Sequence, residues 1–326
     1  MEYIVLGNTG MEVSRICLGC MSFGGKSDRY EWSLGEEESR KIIAKAMDLG
    51  INFFDTANIY SYGESERILG NALEGYGRDS AVVATKVYLQ MDKGNPNSGG
   101  LSRKTIEQEL TRSLERLGLD TIDLYQVHRW DYETPIDVTL RALNDGVRHG
   151  KIRYLGASSM WAHQFSEALH TSDRLGLDRF ATMQNHYSLA YREEEREMLP
   201  LCVKNEIGVI PWSPLAKGFL ARPHDEMDAT ARGQTDDLLH DRPYAAKGNK
   251  EINERVQELA SDHGASMAQI ALAWLLHKEW VDAPIVGTTS VEHLEEAAEA
   301  VEIDLSDSDM EYLEEPYEPL PVTGHE

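Results

Sequence analysis

Four titratable side chains stand at or just beyond the ends of apolar runs that are typical of buried strands. The run INFF leads into Asp55, and Tyr60 follows five residues later in the turn NIYSYG. The run VVATKV contains Lys86, and LYQVH ends in His128. Each residue alone has an ordinary interpretation, as a solvated lysine, a packed histidine or an aromatic at a rim. Because they follow three successive strand-like runs, the sequence favours a shared site.

These four side chains could act together on a carbonyl group. A lysine beside a tyrosine stabilises the phenolate and lowers the pKa of the phenol, and an aspartate keeps that lysine charged. A neutral histidine could donate a hydrogen bond to the carbonyl oxygen, while the tyrosine supplies a proton to the forming alkoxide. The sequence shows no convincing nucleophile with a base, so a hydride would have to come from a cofactor.

Eight apolar runs alternate with helical patterns along the chain. The strand candidates are RICLG, INFFDTA, AVVATKV, IDLYQVH, IRYLGAS, TMQNHY, GVIPWSP and PIVGT. Helical periodicity covers 35–50, 102–119, 135–149, 162–175, 192–205, 251–262, 267–278 and 291–300, with Ser102 as an N-cap and Gly50 as a stop signal.

This alternation predicts a parallel α/β sheet closed into a single (β/α)8 TIM barrel over residues 1–326, with extra C-terminal helices. A doubly wound open sheet is the alternative, but no GxGxxG follows an early strand. Residues 1–16 predict an N-terminal β-hairpin that caps one end of the barrel. The long polar segment 213–249 and the Gly- and Asn-rich segment 90–100 would lie at the face where barrel active sites form.

The composition limits the partners of the chain. Among 326 residues, 56 are Asp or Glu and 32 are Lys or Arg, which gives a net charge of −24. Such a field repels nucleic acid and anionic membranes. The acidic excess indicates a halophilic adaptation, with ordinary acidic solubility as the alternative.

Neither the cysteines nor the apolar runs indicate an extracellular or membrane protein. Cys17 and Cys20 form one CxxC without a second ligand pair, so packing cysteines are favoured over a zinc or redox site, and no metal is expected. The N-terminus lacks the features of a signal peptide and no apolar run is long enough for a membrane span, so a cytoplasmic location is expected.

The motifs FDTANIYSYGESERILG, VVATKV, DLYQVHRWD, LGASS, MQNHY and IPWSPLAKGFL occur in this order and extend over most of the chain. Together they resemble the aldo-keto reductase superfamily, in particular its bacterial-type oxidoreductase branch. The resemblance implies a catalytic tetrad of Asp55, Tyr60, Lys86 and His128. Tyr62 competes for the acid position, but the family's spacing of five residues after the aspartate selects Tyr60.

The same resemblance implies a cofactor site. Ser158, Ser159 and Gln184 would bind the nicotinamide amide, although the family more often has Ser-Asn at the first two positions. Trp212 would stack on the nicotinamide, and Ser213, Leu215, Lys217 and Gly218 would contact the pyrophosphate. In the family, the segment after the last strand binds the adenosine 2′-phosphate. The matching positions here are Gly287, Thr288, Thr289, Ser290, His293, Glu296 and Ala297. This segment has no Lys or Arg, and Ala297 replaces the family's Asn, so NADPH is the default and NADH use stays open.

The resemblance therefore implies reversible, NAD(P)H-dependent reduction of aldehydes or ketones. The alternative function is that of a nucleotide-sensing regulatory subunit, similar to the potassium-channel β-subunits. A barrel metal hydrolase would need more metal ligands at the strand ends than Asp55 and His128. Specificity is expected in loops 21–32 and 88–100 and in the tail 313–326. Trp32, Tyr88, Trp130 and Tyr187 are candidates for an apolar substrate rim, and the oligomeric state is left open.

Overall fold

The computed structural model of the chain describes residues 1–25, 32–229, 244 and 247–325. Ten strands occur there: β1 (Tyr3–Val5), β2 (Glu12–Ser14), β3 (Cys17–Gly19), β4 (Phe53–Asp55), β5 (Val82–Val87), β6 (Ile122–Val127), β7 (Ile152–Ser158), β8 (Phe180–Gln184), β9 (Gly208–Val209) and β10 (Ile285–Gly287). Strands β3 to β10 form one parallel sheet in the order β10-β3-β4-β5-β6-β7-β8-β9.

The two ends of this sheet meet through backbone hydrogen bonds. The N–H of Asp282, which precedes β10, donates to the carbonyl of Val209, the last residue of β9, at 2.9 Å. The N–H of Ile285, the first residue of β10, donates to the carbonyl of Pro211, also at 2.9 Å. The predicted (β/α)8 barrel is confirmed, and each of the eight predicted strand runs overlaps one of its strands.

The helices that the structure describes surround the barrel. Their bounds are α1 (Glu36–Asp48), α2 (Glu64–Leu73), α3 (Arg103–Leu117), α4 (Ile136–Arg148), α5 (Ala162–Leu175), α6 (Met198–Lys204), α7 (Lys247–His263), α8 (Met267–Leu276), α9 (Val291–Glu299) and α10 (Asp307–Glu314). The predicted helix 192–205 begins instead as a 3-10 turn at Glu193–Glu195 and becomes α-helical only at Met198. The Ser102 hydroxyl accepts a hydrogen bond from the backbone N–H of Thr105, which confirms the predicted cap of α3.

The N-terminal hairpin is also confirmed. Strands β1 and β2 pair antiparallel, with Ile4 opposite Val13. Leu6 and Val13 are fully buried and pack with Cys17, Phe53 and other interior residues in one apolar cluster. The hairpin therefore closes the bottom of the barrel, at the amino ends of the strands.

Inward-facing side chains form a polar layer above the apolar cluster at the bottom of the barrel. Successive side chains of a strand point to opposite faces, so Asp55 shares the inward face with Phe53. In the same way Lys86 lies two residues after Ala84 on β5 and shares its inward face, and Gln126 lies two residues after Leu124 on β6. The carboxyl ends of β4, β5 and β6 thus carry buried polar groups directly above an apolar floor.

The three cysteines are free and fully buried, and burial raises the pKa of the Cys17 and Cys20 thiols well above the ordinary value. Cys17 packs in the barrel interior, whereas Cys20 packs in the larger cluster between sheet and helices. These positions agree with the prediction that both cysteines are packing residues. In the ranges that the structure describes, no helix is both long and apolar enough to cross a bilayer.

Candidate active site

A buried ion pair lies at the centre of the barrel mouth. Lys86 is 0% exposed and Asp55 is 2% exposed. The Lys86 ammonium donates hydrogen bonds to Asp55 Oδ1, to the Thr56 carbonyl at 2.8 Å and to Tyr60 Oη at 3.3 Å. Its three donors thus have three acceptors, and one of them is the phenol oxygen.

Two glutamines complete the environment of the aspartate. Gln126 Nε2 and Gln184 Nε2 each donate to Asp55 Oδ2 at 2.9 Å, and Gln184 Nε2 also lies 3.1 Å from Gln126 Oε1. A buried charge is tolerable only when it is paired and hydrogen-bonded, and Asp55 satisfies both conditions. Gln126 was not singled out from the sequence, although its place two residues before His128 on the inward face of β6 could have indicated it.

Two opposing effects set the pKa of Tyr60. Burial raises the pKa of the phenol, while the nearby charge of Lys86 lowers it, and the net direction is above the ordinary value of 10.0. The predicted lowering by the lysine is therefore present, but the loss of hydration on burial outweighs it. At neutral pH Tyr60 is therefore protonated and can serve as a proton donor.

His128 lies against Tyr60 as a neutral ring. Burial, with the positive charges of Lys86 and Arg129, holds the pKa of its imidazole well below 6.5. The rings of His128 and Tyr60 meet edge to face, with centroids 5.9 Å apart. Among the described residues His128 Nδ1 is buried without a hydrogen-bond partner. A neutral imidazole of this kind can donate one hydrogen bond to a substrate oxygen.

The turn after Tyr60 has an uncommon backbone. Ser61, Tyr62 and Gly63 have φ of 47°, 53° and 97°, all in the left-handed region. A Cβ at Gly24 would lie 2.1 Å from Ser61 Oγ, and one at Gly63 would lie 2.5 Å from Arg116 Cδ. The turn directs Tyr60 to Lys86, whereas Tyr62 is 64% exposed.

A second buried network supports this turn from below. Arg116 Nε donates to Glu66 Oε2 at 2.6 Å, and Asn58 Nδ2 donates to Glu109 Oε2 at 3.0 Å. Arg116 also lies 3.8 Å from Glu109. Glu66 is in the first turn of α2 and is fully buried. Asn58, Glu109 and Arg116 were not predicted from the sequence.

The candidate nicotinamide residues lie at the ends of β7, β8 and just beyond β9. Ser158 and Gln184 are register partners on neighbouring strands. Ser159 has φ of 45°, a left-handed conformation that Asn adopts more readily than Ser, and its Oγ accepts a hydrogen bond from Trp212 Nε1 at 3.0 Å. The structure therefore brings Ser158, Ser159, Gln184 and Trp212 together.

Trp212 is one member of an aromatic stack. The His186 ring lies parallel to Trp212 on one side, with centroids 4.2 Å apart, and to Tyr191 on the other, at 4.1 Å. His186 Nε2 is 2.6 Å from Tyr244 Oη, and burial lowers the pKa of His186 to about 3. His186 is thus a neutral ring that fixes the plane of the indole, and the motif MQNHY contained it without indicating this role.

Comparison with known proteins decides the family. The profile of the aldo/keto reductase family matches residues 15–318. This chain belongs to the aldo/keto reductase family. It is 44% identical to a protein of Schizosaccharomyces pombe provisionally named as an aryl-alcohol dehydrogenase, over 99% of this chain and 97% of that protein. It is 42% identical to versiconal hemiacetal acetate reductase of Aspergillus parasiticus, over 99% and 98%. It is 41% identical to the aldo-keto reductase AMT2 of Alternaria alternata, over 99% and 93%.

In this aldo/keto reductase, the segment after Trp212 has several left-handed residues in a short span. Ser213, Ala216, Lys217 and Gly218 have φ of 54°, 48°, 58° and 100°. The N–H groups of Ala216 and Gly218 donate to the carbonyls of Ser213 and Leu215, each at 2.9 Å, so the chain turns tightly after Trp212. Of the long polar segment 213–249, residues 230–243 and 245–246 lie outside the described residues.

The segment after β10 is acidic in the structure as well. Gly287, Thr289 and His293 are exposed, whereas Thr288 is buried. Ser290 caps α9 by accepting from the His293 N–H at 3.3 Å and donates to Glu292 Oε2 at 2.6 Å. That hydrogen bond lowers the pKa of the Glu292 carboxyl, so it is charged at neutral pH. Glu296 lies farther along the helix, where it accepts from Ser266 Oγ.

The rim of the site differs from the prediction at one residue. Tyr187 is fully buried, donates to Glu195 Oε1 at 2.6 Å and packs against Trp274, so its assignment to a substrate rim was wrong. Trp32, Tyr88 and Trp130 are partly buried. The predicted tail does reach the site: a Cβ at Gly324 would lie 3.4 Å from the Trp212 ring. Residues 26–31 of the first predicted loop lie outside the described residues.

Proposed function

We propose that this protein reduces aldehydes or ketones to alcohols, reversibly, with NADPH or NADH as the hydride donor. One observation carries the proposal. Lys86 contacts both Asp55 and Tyr60 in a buried site, with the neutral ring of His128 against Tyr60.

Each of the four residues has a defined part in this reaction. Tyr60 donates its proton to the carbonyl oxygen as that oxygen becomes an alkoxide. Lys86, at 3.3 Å from the phenol oxygen, stabilises the phenolate that remains. Asp55 keeps Lys86 charged and oriented, and His128 orients the substrate by donating a hydrogen bond to the same oxygen. The reduced nicotinamide, when bound, supplies the hydride.

The residues at the ends of β7, β8 and β9 fit a nicotinamide nucleotide. Trp212 is held flat by His186 on one side of its ring, which suits stacking. Ser158, Ser159 and Gln184 would hold the carboxamide. The left-handed segment that contains Ser213, Leu215, Lys217 and Gly218 would hold the diphosphate.

The adenosine end of the site supports use of NADH beside NADPH. The start of α9 has the capping hydroxyl of Ser290 but also the ionised carboxylate of Glu292. A helix N-terminus attracts phosphate, whereas a neighbouring carboxylate repels it. Gly287, Thr288, Thr289 and His293 add backbone and neutral donors to this end, and Glu296 adds a further negative charge. We therefore propose that NADPH is accepted without strong preference over NADH.

The names of the relatives suggest a substrate class. A fungal relative is named for aryl-alcohol dehydrogenation and another for reduction of a hemiacetal acetate. We propose aromatic aldehydes as the first substrates to test. A cytoplasmic location, a halophilic adaptation and membership of the bacterial-type branch remain predictions from the sequence. The three relatives named above are fungal.

The test compares two tyrosine variants. Purified protein is mixed with NADPH or NADH and a panel of aldehydes, at low and high KCl, and the loss of reduced-nicotinamide absorbance is followed. Tyr60→Phe should lower kcat by about 10²- to 10⁴-fold while cofactor binding persists. Tyr62→Phe is the matched control, because Tyr62 is largely exposed, and it should retain the wild-type rate.

Two results would redirect the proposal. If Tyr62→Phe abolished turnover and Tyr60→Phe did not, the acid would be misassigned. If nucleotide bound tightly and no carbonyl were reduced, the chain would be a nucleotide sensor, and a partner protein would be sought next.

A further inference from the structure

Gln126 lies on the inward face of β6 and is fully buried. Its Nε2 donates to Asp55 Oδ2 at 2.9 Å, and its Oε1 accepts from Gln184 Nε2 at 3.1 Å. Gln184 Nε2 also donates to Asp55 Oδ2 at 2.9 Å. Because a carboxylate only accepts hydrogen bonds, both amide groups must turn their nitrogen toward Asp55. The three side chains therefore form a closed triangle of hydrogen bonds with one consistent orientation.

A glycine on the intervening strand leaves room for this triangle. Strand β7 separates β6 from β8, and Gly156 of β7 is the register partner of Gln126 on one side and of Thr182 on the other. A Cβ at Gly156 would lie 2.8 Å from Gln126 Cγ and 2.6 Å from Thr182 Oγ1. Because no side chain stands at this position, Gln126 reaches across β7 and meets Gln184 on β8.

The triangle joins the two halves of the candidate site. On one side, Asp55 Oδ1 accepts from the Lys86 ammonium, which also donates to Tyr60 Oη. On the other side, Gln184 is the register partner of Ser158, a candidate nicotinamide residue. Within the part of the chain that the structure describes, Gln184 Oε1 accepts no hydrogen bond, and this atom is not fully enclosed. The oxygen is therefore available to an N–H group of a bound molecule.

The donors at Asp55 determine how its charge acts on neighbouring groups. The positive end of each N–H that donates to a carboxylate offsets part of the negative charge. With one donor fewer, Asp55 would attract Lys86 more strongly and would repel a phenolate at Tyr60 more strongly. We propose that Gln126 is a positioning residue of the proposed reduction, which holds Asp55 against Lys86 and holds Gln184 toward the bound nucleotide. This inference rests on the proposed function, although its Gln184 part needs only nucleotide binding.

The test compares Gln126→Met with a matched control. Methionine keeps most of the length and volume of glutamine but cannot donate to Asp55 and is only a weak acceptor. Thr182→Val is the control, because Thr182 Oγ1 is buried next to the same glycine and has no hydrogen-bond partner among the described residues. Gly156→Ala is a second variant, whose Cβ would displace Gln126 without replacing either glutamine.

The first readout is the pH profile of alcohol oxidation by NADP⁺, because in this direction Tyr60 must accept the proton. Gln126→Met should move the midpoint of log kcat against pH about 0.5 to 1 unit higher, so that kcat below the midpoint falls about 3- to 10-fold. Gly156→Ala should move the midpoint in the same direction, and Thr182→Val should keep the wild-type midpoint. An unchanged or lower midpoint in Gln126→Met, or an equal shift in Thr182→Val, would overturn the proposal.

The other groups that act on Tyr60 do not obscure this midpoint. They are Asp55, Lys86, His128 and Arg129. Burial holds the pKa of His128 well below 6.5, and an arginine stays charged at every pH of the profile. The midpoint therefore belongs to Tyr60 together with its partner Lys86.

The second readout is nucleotide binding, measured by calorimetry without turnover. NADP⁺ is compared with its acetylpyridine analogue, in which an acetyl group replaces the carboxamide and offers no N–H to Gln184 Oε1. The wild type should prefer NADP⁺ by about 5- to 10-fold in Kd, as expected for one hydrogen bond. Gln126→Met should reduce this preference to within about twofold, because the Gln184 amide loses an acceptor that fixes it. Thr182→Val should retain the preference.

The two readouts separate this inference from the proposed function. If Gln126→Met loses the preference for NADP⁺ and the wild type oxidises no alcohol, Gln126 positions Gln184 and the reductase proposal falls. If the wild type oxidises alcohols and Gln126→Met changes neither the midpoint nor the preference, the reductase proposal stands and this inference is overturned.

Discussion

Replacing Lys86 with methionine would remove the cation from the centre of the site while keeping most of the side-chain volume. Asp55 would retain the hydrogen bonds from Gln126 and Gln184 but would lose its only ion-pair partner among the described residues. The carboxylate would then be a buried charge without compensation. We expect both the stability and the activity of the protein to fall, for separate reasons.

The structure gives the expected size of each effect. Breaking a buried ion pair by removing one partner costs about 3 to 5 kcal/mol of the free energy of unfolding. For the reaction, an ammonium and a phenolate at 3.3 Å attract by about 5 kcal/mol at an effective dielectric constant of about 20. Loss of all of that attraction would slow the chemical step by about 10³- to 10⁴-fold.

The double variant Asp55→Asn/Lys86→Met separates the two effects. Asparagine keeps an acceptor for the glutamines but carries no charge, so most of the lost stability should return. The rate should not return, because the cation near Tyr60 is still missing. Urea unfolding followed by circular dichroism measures the first effect, and single-turnover oxidation of bound NADPH measures the second.

The reasoning would be refuted by either of two results. If the double variant unfolded as easily as Lys86→Met, the uncompensated carboxylate could not be the cause of the instability. If Lys86→Met kept the wild-type rate, the phenolate would not depend on this cation. Both results are interpretable only when circular dichroism shows the wild-type fold before urea is added.

Two further predictions concern backbone strain and a buried carboxyl group. Gly63→Ala should lower both kcat and stability, because its new Cβ would meet Arg116 and strain the turn that places Tyr60. Gly118→Ala is the control, because Gly118 has φ of 65° and a Cβ there would meet no other atom. This substitution should cost about 1 kcal/mol of stability and leave kcat unchanged. If both substitutions changed kcat equally, the strain argument would be contradicted. Burial raises the pKa of Asp282 from 3.8 to about 6, so this group makes the folded state less stable as the pH rises from about 4 to 6. Asp282→Asn should reduce this pH-dependent loss of unfolding free energy by up to about 3 kcal/mol, measured by urea unfolding between pH 4 and 7. An unchanged pH dependence would show that Asp282 is not the titrating group.

The sequence alone determined the barrel and the four central residues. Strand and helix periods alternate eight times, and each strand must bury its inward side chains, so the polar residues at the strand ends had one available face. Asp55, Lys86 and His128 follow from that argument, and Tyr60 follows from the spacing of the family motif. These features depend on local pattern, which a single sequence carries.

Only the tertiary structure decided which groups compensate one another. Gln126 and Gln184 meet at Asp55 although they stand 58 positions apart, and Asn58 meets Glu109 across 51 positions. The net pKa shift of Tyr60 depends on how much water the folded chain excludes, which outweighed the neighbouring cation. Burial also placed Tyr187 in the core and not at the rim. Desolvation and long-range hydrogen bonds are properties of the packed chain, and no period or motif in the sequence encodes their balance.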